Sequence, residues 1–335
     1  MIRYIIRRLG WAVVLFVAVT MVTYVIFYLI PADPARLVAG KAATPEDIAR
    51  ARHFLGLDQP LYEQYWRFLK RLVLHADLGT SFANRESVNS IVLNAAPVTA
   101  SLVFGGAVVW MLIALPVGVL SALRPRSVLD RVAMITVLIG ISAHPVWIGL
   151  IMSYLFGYVP TTGHFLGVDF PAFTLFPVQG YCDLVGAEPG TCGGPVQWSY
   201  HLVLPWLTFA TLYAALYARM IRANVMETMN EDYVRTARAK GAPEGLVLRS
   251  HILRNAMLPV VTMLGMDIAI ALGGAIFTET VFGLPGLGRI AIESLSGFDL
   301  PVTTGVVVFA ATAVIVFNLI VDVLYAYIDP RIRYG

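Results

Sequence analysis

Three ionisable side chains stand in or beside apolar stretches, where each could bind a solute or carry a proton. His144 lies in the segment ISAHPVW, Asp267 lies inside an apolar run, and Glu279 follows that run directly. Ionisable groups inside a membrane are typical of substrate sites and proton relays, because burying them in lipid without a partner is unfavourable. They could instead pair across a helix bundle, and for Asp267 and Glu279 we favour this structural interpretation. The three residues are our candidates for a translocation path.

Pro145 follows His144 within an apolar segment that is long enough to form one helix. A proline removes a backbone donor and clashes with the preceding turn, so we expect the helix to bend or unwind here. Such a bend either lines a cavity or packs against neighbouring helices. The sequence leaves both interpretations open.

Cys182 and Cys192 are the two cysteines of the chain and share an acidic loop. An oxidising exterior would permit a disulfide, and closing so short a loop would stabilise the fold by up to about 3 kcal/mol. We expect the two to pair, with unpaired thiols as the alternative. No histidine or third cysteine stands nearby at ligand spacing, so we predict no metal site.

A charged stretch, DYVRTARAKGAPEGLVLRSHILRNAMLP, separates two apolar runs. Asn230 is placed to cap a helix that has Glu231 and Asp232 in its first turn. Gly241 is typical of the residue just past a helix end, and Pro243 can open a second helix. The pattern predicts a helix, a tight corner, and a second helix that returns to the membrane at Pro259.

A solvated loop would need neither this capping nor the second apolar stripe, which comprises Leu246, Val247, Ser250, Leu253 and Met257. A rigid corner suits insertion into a groove of a cytoplasmic partner. It would transmit that partner's motion to the membrane helices as a rigid body.

Composition indicates the setting of these residues. Of 335 residues, 58% are hydrophobic and only 13% are charged, against about 25% charged in soluble domains, and the mean hydropathy is +0.73. We predict an all-α polytopic membrane protein, since a span needs about 20 apolar residues. The six candidate spans are Leu9–Ile30, Val98–Leu123, Val132–Val159, Leu202–Ala218, Leu258–Thr278 and Val302–Val321. No basic stripe with interleaved aromatics supports nucleic-acid binding.

Lysine and arginine in the short connections predict the orientation. They cluster before the first span, between the second and third, around the charged stretch, and at the end of the chain. The residues are Arg3, Arg7, Arg8, Arg124, Arg126, Arg131, Arg219, Arg222, Arg235, Arg238, Lys240, Arg249, Arg254, Arg331 and Arg333. We therefore expect both termini and the charged stretch to be cytoplasmic, and the cysteine loop to be external.

Three regions follow from this pattern. Residues 1–30 form the N-terminal cytoplasmic end and the first span, residues 31–97 an external helical subdomain, and residues 98–335 a five-helix core with a cytoplasmic loop at 230–258. In the subdomain, TPED from Thr44 predicts a helix start, and a helical stripe follows at Leu61, Tyr65, Phe68, Leu69 and Leu72. The subdomain could be a packing lid or a docking surface for an external partner.

The segments DYVRTARAKG and HILRNAMLPVV resemble the cytoplasmic loop of ABC importer permeases, in the variant of the dipeptide/oligopeptide (peptide/nickel) family. The general pattern has Glu-Ala-Ala and a glycine four residues on, where this chain has Arg-Thr-Ala before its glycine. The positions matching the ATPase coupling loop are Arg235, Thr236, Ala237, Lys240, Gly241, Ala242 and Pro243. Further likeness to that family's first membrane subunit lies in RYIIRRLG, LIPADPARLVAG, LGLDQPLYEQY, DLGTSF, GGAIFTETVFGLPGLGR and VDVLYAYIDPRIRYG.

The resemblance implies a type I ABC importer permease with six transmembrane helices. It implies as partners a homologous second permease subunit, two ATP-binding subunits and an external solute-binding protein. ATP and magnesium would be bound by the partners, and this chain would hold no cofactor and no catalytic residue. No G-x-x-x-x-G-K-[ST] motif occurs in the sequence, which agrees with an energy source in a separate subunit.

Short peptides are the expected substrate, and related importers of nickel complexes, glutathione, haem or oligosaccharides are the nearest alternatives. A different class is an ion-coupled secondary carrier that uses Asp267 and His144 as a proton relay. Carriers usually show inverted repeats and more intramembrane ionisable groups than this sequence has. An intramembrane enzyme is disfavoured, because no H-E-x-x-H motif is present.

Overall fold

A computed structural model describes residues 2–29, 34–39, 43–55, 57–165, 168–169, 172, 175–185 and 192–328. Arg331 and Arg333 of the charge pattern, and Glu188 of the cysteine loop, lie outside these residues. The chain forms two compact units. The first comprises Met1–Ala100, Ala269–Ile276 and Pro285–Gly335, and the second comprises Ser101–Ile268 and Phe277–Leu284.

The first unit contains the helices from both ends of the chain. They are α1 (Ile2–Leu29), α2 (Pro34–Ala39), α3 (Pro45–Leu55), α4 (Leu61–His75) and the start of α5 (Val88–Leu123), then α14 (Leu287–Ser296) and α15 (Leu300–Ile328). Helix α1 packs on α15. The core lies where α5, α14 and α15 meet, around Val88, Val92, Ala95, Leu287, Val302 and Val306.

The second unit is built from helices that connect through short turns. Its helical elements are the rest of α5, α6 (Val128–Ser142), α7 (Pro145–Met152), a π-helix (Ser153–Tyr158), α8 (Val159–Thr162), α9 (Pro195–Met229), α10 (Asp232–Ala239), α11 (Glu244–Leu246), a second π-helix (Val247–Leu253) and most of α12 (Arg254–Ala271) and α13 (Ile276–Val281). Helices α6 and α7 both pack on α9. A short antiparallel hairpin pairs β1 (His164–Phe165) with β2 (Val168–Asp169).

Among the described residues, five helices are long and apolar enough to cross a membrane. Their spans are Ile6–Ile26, Val88–Leu123, Pro195–Met229, Glu244–Ala271 and Leu300–Val321. A sixth span is possible if α6 and α7–α8 count as one, since this pair passes the same test but is bent by 105°. The all-α fold with six spans agrees with the sequence prediction.

The bend falls at His144, as the sequence predicts. The backbone of His144 is extended, with ψ of 136°, and its Nδ1 accepts a hydrogen bond of 3.3 Å from the Val146 N–H. Pro145 takes the first position of α7, where no helical donor is needed. His144 therefore caps a new helix after the break.

The predicted end of the fifth span, at Thr278, is wrong. Helix α12 stops at Ala271, because Gly274 has φ of +128°, which L residues rarely adopt. A side chain at Gly274 would also place its Cβ 2.7 Å from the Cα of Gly288. The two glycines thus let α12 end and the backbone of α14 approach closely. Glu279 lies on a separate short helix, α13.

Helix α3 begins as the sequence predicts, and the predicted stripe of α4 packs on α1. Thr44 Oγ1 accepts a hydrogen bond from the Asp47 N–H (3.3 Å), and the Asp47 carboxylate accepts one from the Thr44 N–H (3.0 Å). These reciprocal bonds form a capping box at the start of α3. Phe68 of the predicted stripe in α4 is buried and packs on Tyr24 of α1, with ring centroids 5.6 Å apart. Tyr65 of the same stripe shares a hydrogen bond with Thr20. The region boundaries at residues 30 and 97 stay predictions.

Candidate functional site

The corner between α9 and α12, which comprises residues 230–253, begins one residue later than the sequence predicts. Asn230 does not cap α10 but closes α9, because its own backbone is still helical and its side chain donates to the Met226 carbonyl at 2.9 Å. Glu231 has the extended conformation of an N-cap, without a side-chain hydrogen bond. The chain therefore turns from α9 into α10 within two residues.

Gly241 ends α10 in a left-handed conformation, with φ of +80°. Its N–H donates to the Arg238 carbonyl at 2.9 Å, and the Ala242 N–H donates to the Ala237 carbonyl at 3.2 Å. These two bonds form a Schellman motif, which satisfies carbonyls at the helix end. No atom lies within 4 Å of where a Cβ on Gly241 would be. Glycine is therefore favoured here by backbone conformation and not by lack of space.

An ion pair closes the corner on its far side. Arg238 donates from Nε to Glu244 Oε1 at 2.9 Å and from Nη2 to Oε2 at 3.3 Å. Between them, Pro243 has φ of −64° and ψ of 143° and stands at the N-cap of α11. The two-pronged geometry limits how far α10 and α11 can swing, although an exposed pair contributes at most about 1 kcal/mol.

The corner has a buried inner face and an exposed outer face. The inner face comprises Val234, Ala237, Val247 and Ile252. Tyr233 is tied to α12 as well, since its hydroxyl accepts a hydrogen bond of 2.8 Å from Asn255 Nδ2. The exposed outer positions are Arg235, Thr236, Lys240, Gly241, Pro243 and Leu246. The corner is thus anchored to the return helix and presents basic and small residues outward.

The return helix begins as the π-helix Val247–Leu253, which the sequence reasoning missed. An i+5 hydrogen-bond pattern is rare and occurs frequently at functional sites. Asn224 of α9 donates from Nδ2 to the Ala256 carbonyl at 3.3 Å, which joins the two helices that lead into and out of the corner.

A buried ion pair near the corner was also missed. Asp130 on α6 is only 5% exposed and binds Arg222 of α9 through both of its oxygens. Ser121 of α5 and the Arg126 N–H donate to the same carboxylate. Ser127 caps α6, since its Oγ accepts from the Asp130 N–H at 3.2 Å, but this local pattern marks only a helix start and not the ion pair.

The two members of the predicted proton relay have different partners. Asp267 accepts a hydrogen bond of 2.6 Å from the hydroxyl of Tyr217, which is 2% exposed. Tyr217 packs beside Trp110, and Trp110 stacks on Tyr213 with ring centroids 4.6 Å apart. His144 is exposed and its ring meets that of Phe277 edge-on.

Glu279, the third candidate, is 0% exposed on α13, and its carbonyl accepts the Leu284 N–H at 2.9 Å. The three candidate residues therefore lie in different surroundings. Asp267 is held in an aromatic cluster, His144 lies at a helix break, and Glu279 is enclosed.

Cys182 and Cys192 are joined by a disulfide. His201, from the first turns of α9, brings its Nδ1 to 3.2 Å from Cys182 Sγ. The sequence spacing gave no sign of this histidine, and the absence of a metal site stays a prediction. The proximity arises because the cysteine loop folds back onto a helix that starts after it.

Helical spans, one sharply bent pair and a rigid two-helix corner define a polytopic membrane protein of the transporter class. The chain belongs to the family described as binding-protein-dependent transport system inner membrane component, whose profile matches residues 114–334. The profile of the N-terminal part of such components matches residues 1–103. The family resemblance drawn from the loop motifs is thereby confirmed.

Curated relatives match along the whole chain. The dipeptide transport system permease protein DppB of Escherichia coli K12 is 36% identical over 339 residues, which cover 100% of this chain and 99% of the relative. The probable D,D-dipeptide transport system permease protein DdpB of the same organism is 39% identical, covering 99% and 98%. The glutathione transport system permease protein GsiC of Salmonella paratyphi A is 36% identical, covering both chains fully.

Proposed function

We propose that this chain is one of two homologous permease subunits of an ABC importer for short peptides. Its full-length similarity to permeases named for dipeptides and for glutathione, itself a tripeptide, supports peptides as the substrate class. The chain would supply one half of the path through the membrane. An external solute-binding protein would deliver the peptide.

The observation that carries the proposal is the corner. On its inner face, Val234 and Val247 are buried and hold the corner in place. On its outer face, Gly241 and the residues around it are exposed. A helix pair closed by a Schellman motif and an ion pair moves as one body, so a force on Arg235 or Lys240 would reach α9 and α12 together. This is what a separate ATP-binding subunit needs in order to move the spans.

The coupling residues in this proposal are the seven positions that match the family's loop: Arg235, Thr236, Ala237, Lys240, Gly241, Ala242 and Pro243. ATP and magnesium would be held by two partner ATPases. Closure of these ATPases would draw the corners of the two permease subunits together and turn the spans outward, and hydrolysis would restore the inward-facing state.

Charge supports the proposed orientation. Basic residues concentrate around the corner and at the N-terminal end, which favours a cytoplasmic position for both. The disulfide loop would then be external, together with the helices between α1 and α5. With the bent pair counted as one span the number of spans is even, which would put the C-terminus on the cytoplasmic side as well.

The translocation path would run beside the break between α6 and α7, where His144 is exposed. Asp267 and Glu279 remain candidates for the same path. The hydrogen bond from Tyr217 to Asp267 favours a supporting role for that carboxylate.

Uptake by reconstituted vesicles tests the function. The chain is co-expressed with its neighbouring transport subunits, purified, and placed in vesicles with ATP supplied on one side only. We expect uptake of a labelled dipeptide to require ATP on the side of the membrane that carries the corner. It should also require the binding protein on the opposite side. Uptake that continues without ATP and collapses with the proton gradient would overturn the proposal in favour of an ion-coupled carrier.

A further inference from the structure

The disulfide loop and the start of α9 bring together three side chains that ligate soft metals. The sulfur atoms of Cys182 and Cys192 and a ring nitrogen of His201 all lie within 4.8 Å of one another. In the disulfide state the sulfurs have no thiolate to offer. Reduction would supply two thiolates beside an imidazole, which is a typical set of zinc ligands.

The hydrogen bonding of His201 indicates which ring nitrogen carries the lone pair. Its Nδ1 lies 2.9 Å from the Gln197 carbonyl oxygen, which can only accept, so Nδ1 carries the proton and Nε2 carries the lone pair. Both ring nitrogens lie near Cys182 Sγ, Nδ1 at 3.2 Å and Nε2 at 3.6 Å. Tetrahedral zinc, with bonds of about 2.3 Å to sulfur and about 2.0 Å to nitrogen, separates such atoms by about 3.6 Å. Backbone carbonyls orient metal-binding histidines in this same way.

The backbone holds the two cysteines together independently of the sulfur bond. Asp183 and Gly193, the residues that follow the two cysteines, form a β-bridge. The Gly194 N–H donates to the Asp183 carbonyl at 2.9 Å, and the Gly193 N–H donates to Gln197 Oε1 at 2.8 Å. The last bond ties the loop to the helix turn that carries His201. These bonds would keep the three ligands near one another after reduction.

The three ligand residues differ in how far they are buried. Cys182 is buried, His201 is half-buried and Cys192 is exposed. A cation could therefore enter from the Cys192 side, and water could take a fourth position.

We propose that the reduced form of this cluster is a zinc site made of Cys182, Cys192 and His201, and that disulfide and metal exclude each other. A dithiol reductant delivers two electrons, the sulfur–sulfur bond breaks, and the reductant becomes a disulfide while both cysteines become thiols. Zn²⁺ then displaces the two thiol protons to solvent and takes two thiolates and a ring nitrogen of His201 as ligands. Oxidation of the thiolates releases the metal. The site would thus report the redox state of the compartment that it faces.

Thiol protection by zinc tests the proposal in the full chain, in membrane vesicles or detergent. The protein is reduced with a dithiol, freed of the reductant, and treated with a maleimide that adds mass, with and without Zn²⁺. We expect Zn²⁺ to slow alkylation of both cysteines, because a thiolate that is bound to the metal is not free to act as the nucleophile. Unreduced protein should not react.

The decisive variant is His201→Gln, in which the Zn²⁺ concentration needed for half-protection should rise at least about tenfold, the low end of the loss in affinity seen when even the support of a metal ligand is removed. His164→Gln is the matched control, because His164 pairs with Asp169 outside the cluster and should leave protection unchanged. If the unreduced His201→Gln variant does not react with the maleimide, its disulfide is formed and its local fold is intact. Equal protection in His201→Gln and the unaltered chain, or no protection in the unaltered chain, would overturn the site.

Discussion

Asp130 and Arg222 form a two-pronged ion pair, with Arg222 Nε 2.7 Å from Oδ1 and Nη2 3.0 Å from Oδ2 of the carboxylate. The Asp130 side chain is 6% exposed and that of Arg222 is 25% exposed. Ser121 donates to the same carboxylate from α5. One acid therefore joins three helices of the second unit, close to the point where α9 leads into the corner.

Arg222→Met should lower the thermal unfolding midpoint by several degrees. The change leaves the Asp130 carboxylate buried without its counter-charge, and an uncompensated buried charge is strongly destabilising. Intrinsic tryptophan fluorescence of the purified chain during heating measures the midpoint. Arg50→Met is the matched control, because Arg50 pairs with Asp47 on the surface and its loss should change the midpoint little. Equal shifts in the two variants would show that the buried pair does not stabilise the fold.

Gly241→Val should uncouple ATP hydrolysis from uptake in the assembled importer. Valine at a φ of +80° strains the backbone by about 1–2 kcal/mol, so the corner should lose its shape while the spans still insert. Gly245→Val is the control, since Gly245 is helical and no atom lies within 4 Å of its Cβ position. ATPase activity and peptide uptake are measured on the same vesicles.

Gly241→Asn adds a graded test of the same corner, because asparagine tolerates the left-handed conformation better than valine does. We expect its uptake to lie between that of Gly241→Val and that of the unaltered chain. Normal uptake in Gly241→Val would remove the corner from the coupling mechanism.

Asp267→Asn should retain most of the uptake activity. The amide oxygen can still accept the hydroxyl of Tyr217, so a supporting role survives the loss of charge. Tyr217→Phe should be more harmful, since it leaves the acid without this donor at a cost of about 1–3 kcal/mol. Uptake is normalised to the amount of inserted protein across a range of pH. Abolished uptake in Asp267→Asn at unchanged protein levels would instead favour a proton relay.

Asp299→Ala should speed trypsin cleavage at Arg85. The Asp299 carboxylate accepts from Ser81 Oγ and from the backbone N–H groups of Phe82 and Ala83, so it holds the turn just before Arg85. Hydrogen bonds to a charged acceptor contribute about 1.5–3 kcal/mol each, and the variant loses three. Cleavage in vesicles is followed by mass spectrometry.

Asp77→Ala is the comparison for that experiment, because Asp77 accepts one nearby backbone bond, from Gly79. Its cleavage rate should rise much less. If both variants were cut at the rate of the unaltered chain, the turn would be held by other contacts.

Most of the helical architecture could be predicted from the sequence. Apolar run length determines the spans, Pro145 determines the break beside it, and Gly241 with Pro243 determines the corner. Each of these depends on residues only a few positions apart. Predictions failed where local rules competed. Helix α12 ends before Thr278, ahead of Gly274, and Asn230 closes one helix and does not cap the next.

The amino-acid sequence by itself determined the membrane class, the spans, the corner and, through its loop motifs, the family. Only the tertiary structure decided which side chains meet. Arg222 lies 92 residues from Asp130, Asp299 lies 218 residues from Ser81, and His201 reaches the disulfide through a folded loop. Helix ends and turns depend on neighbours along the chain. These pairs depend on which faces of distant helices pack together, and a single sequence does not specify that packing.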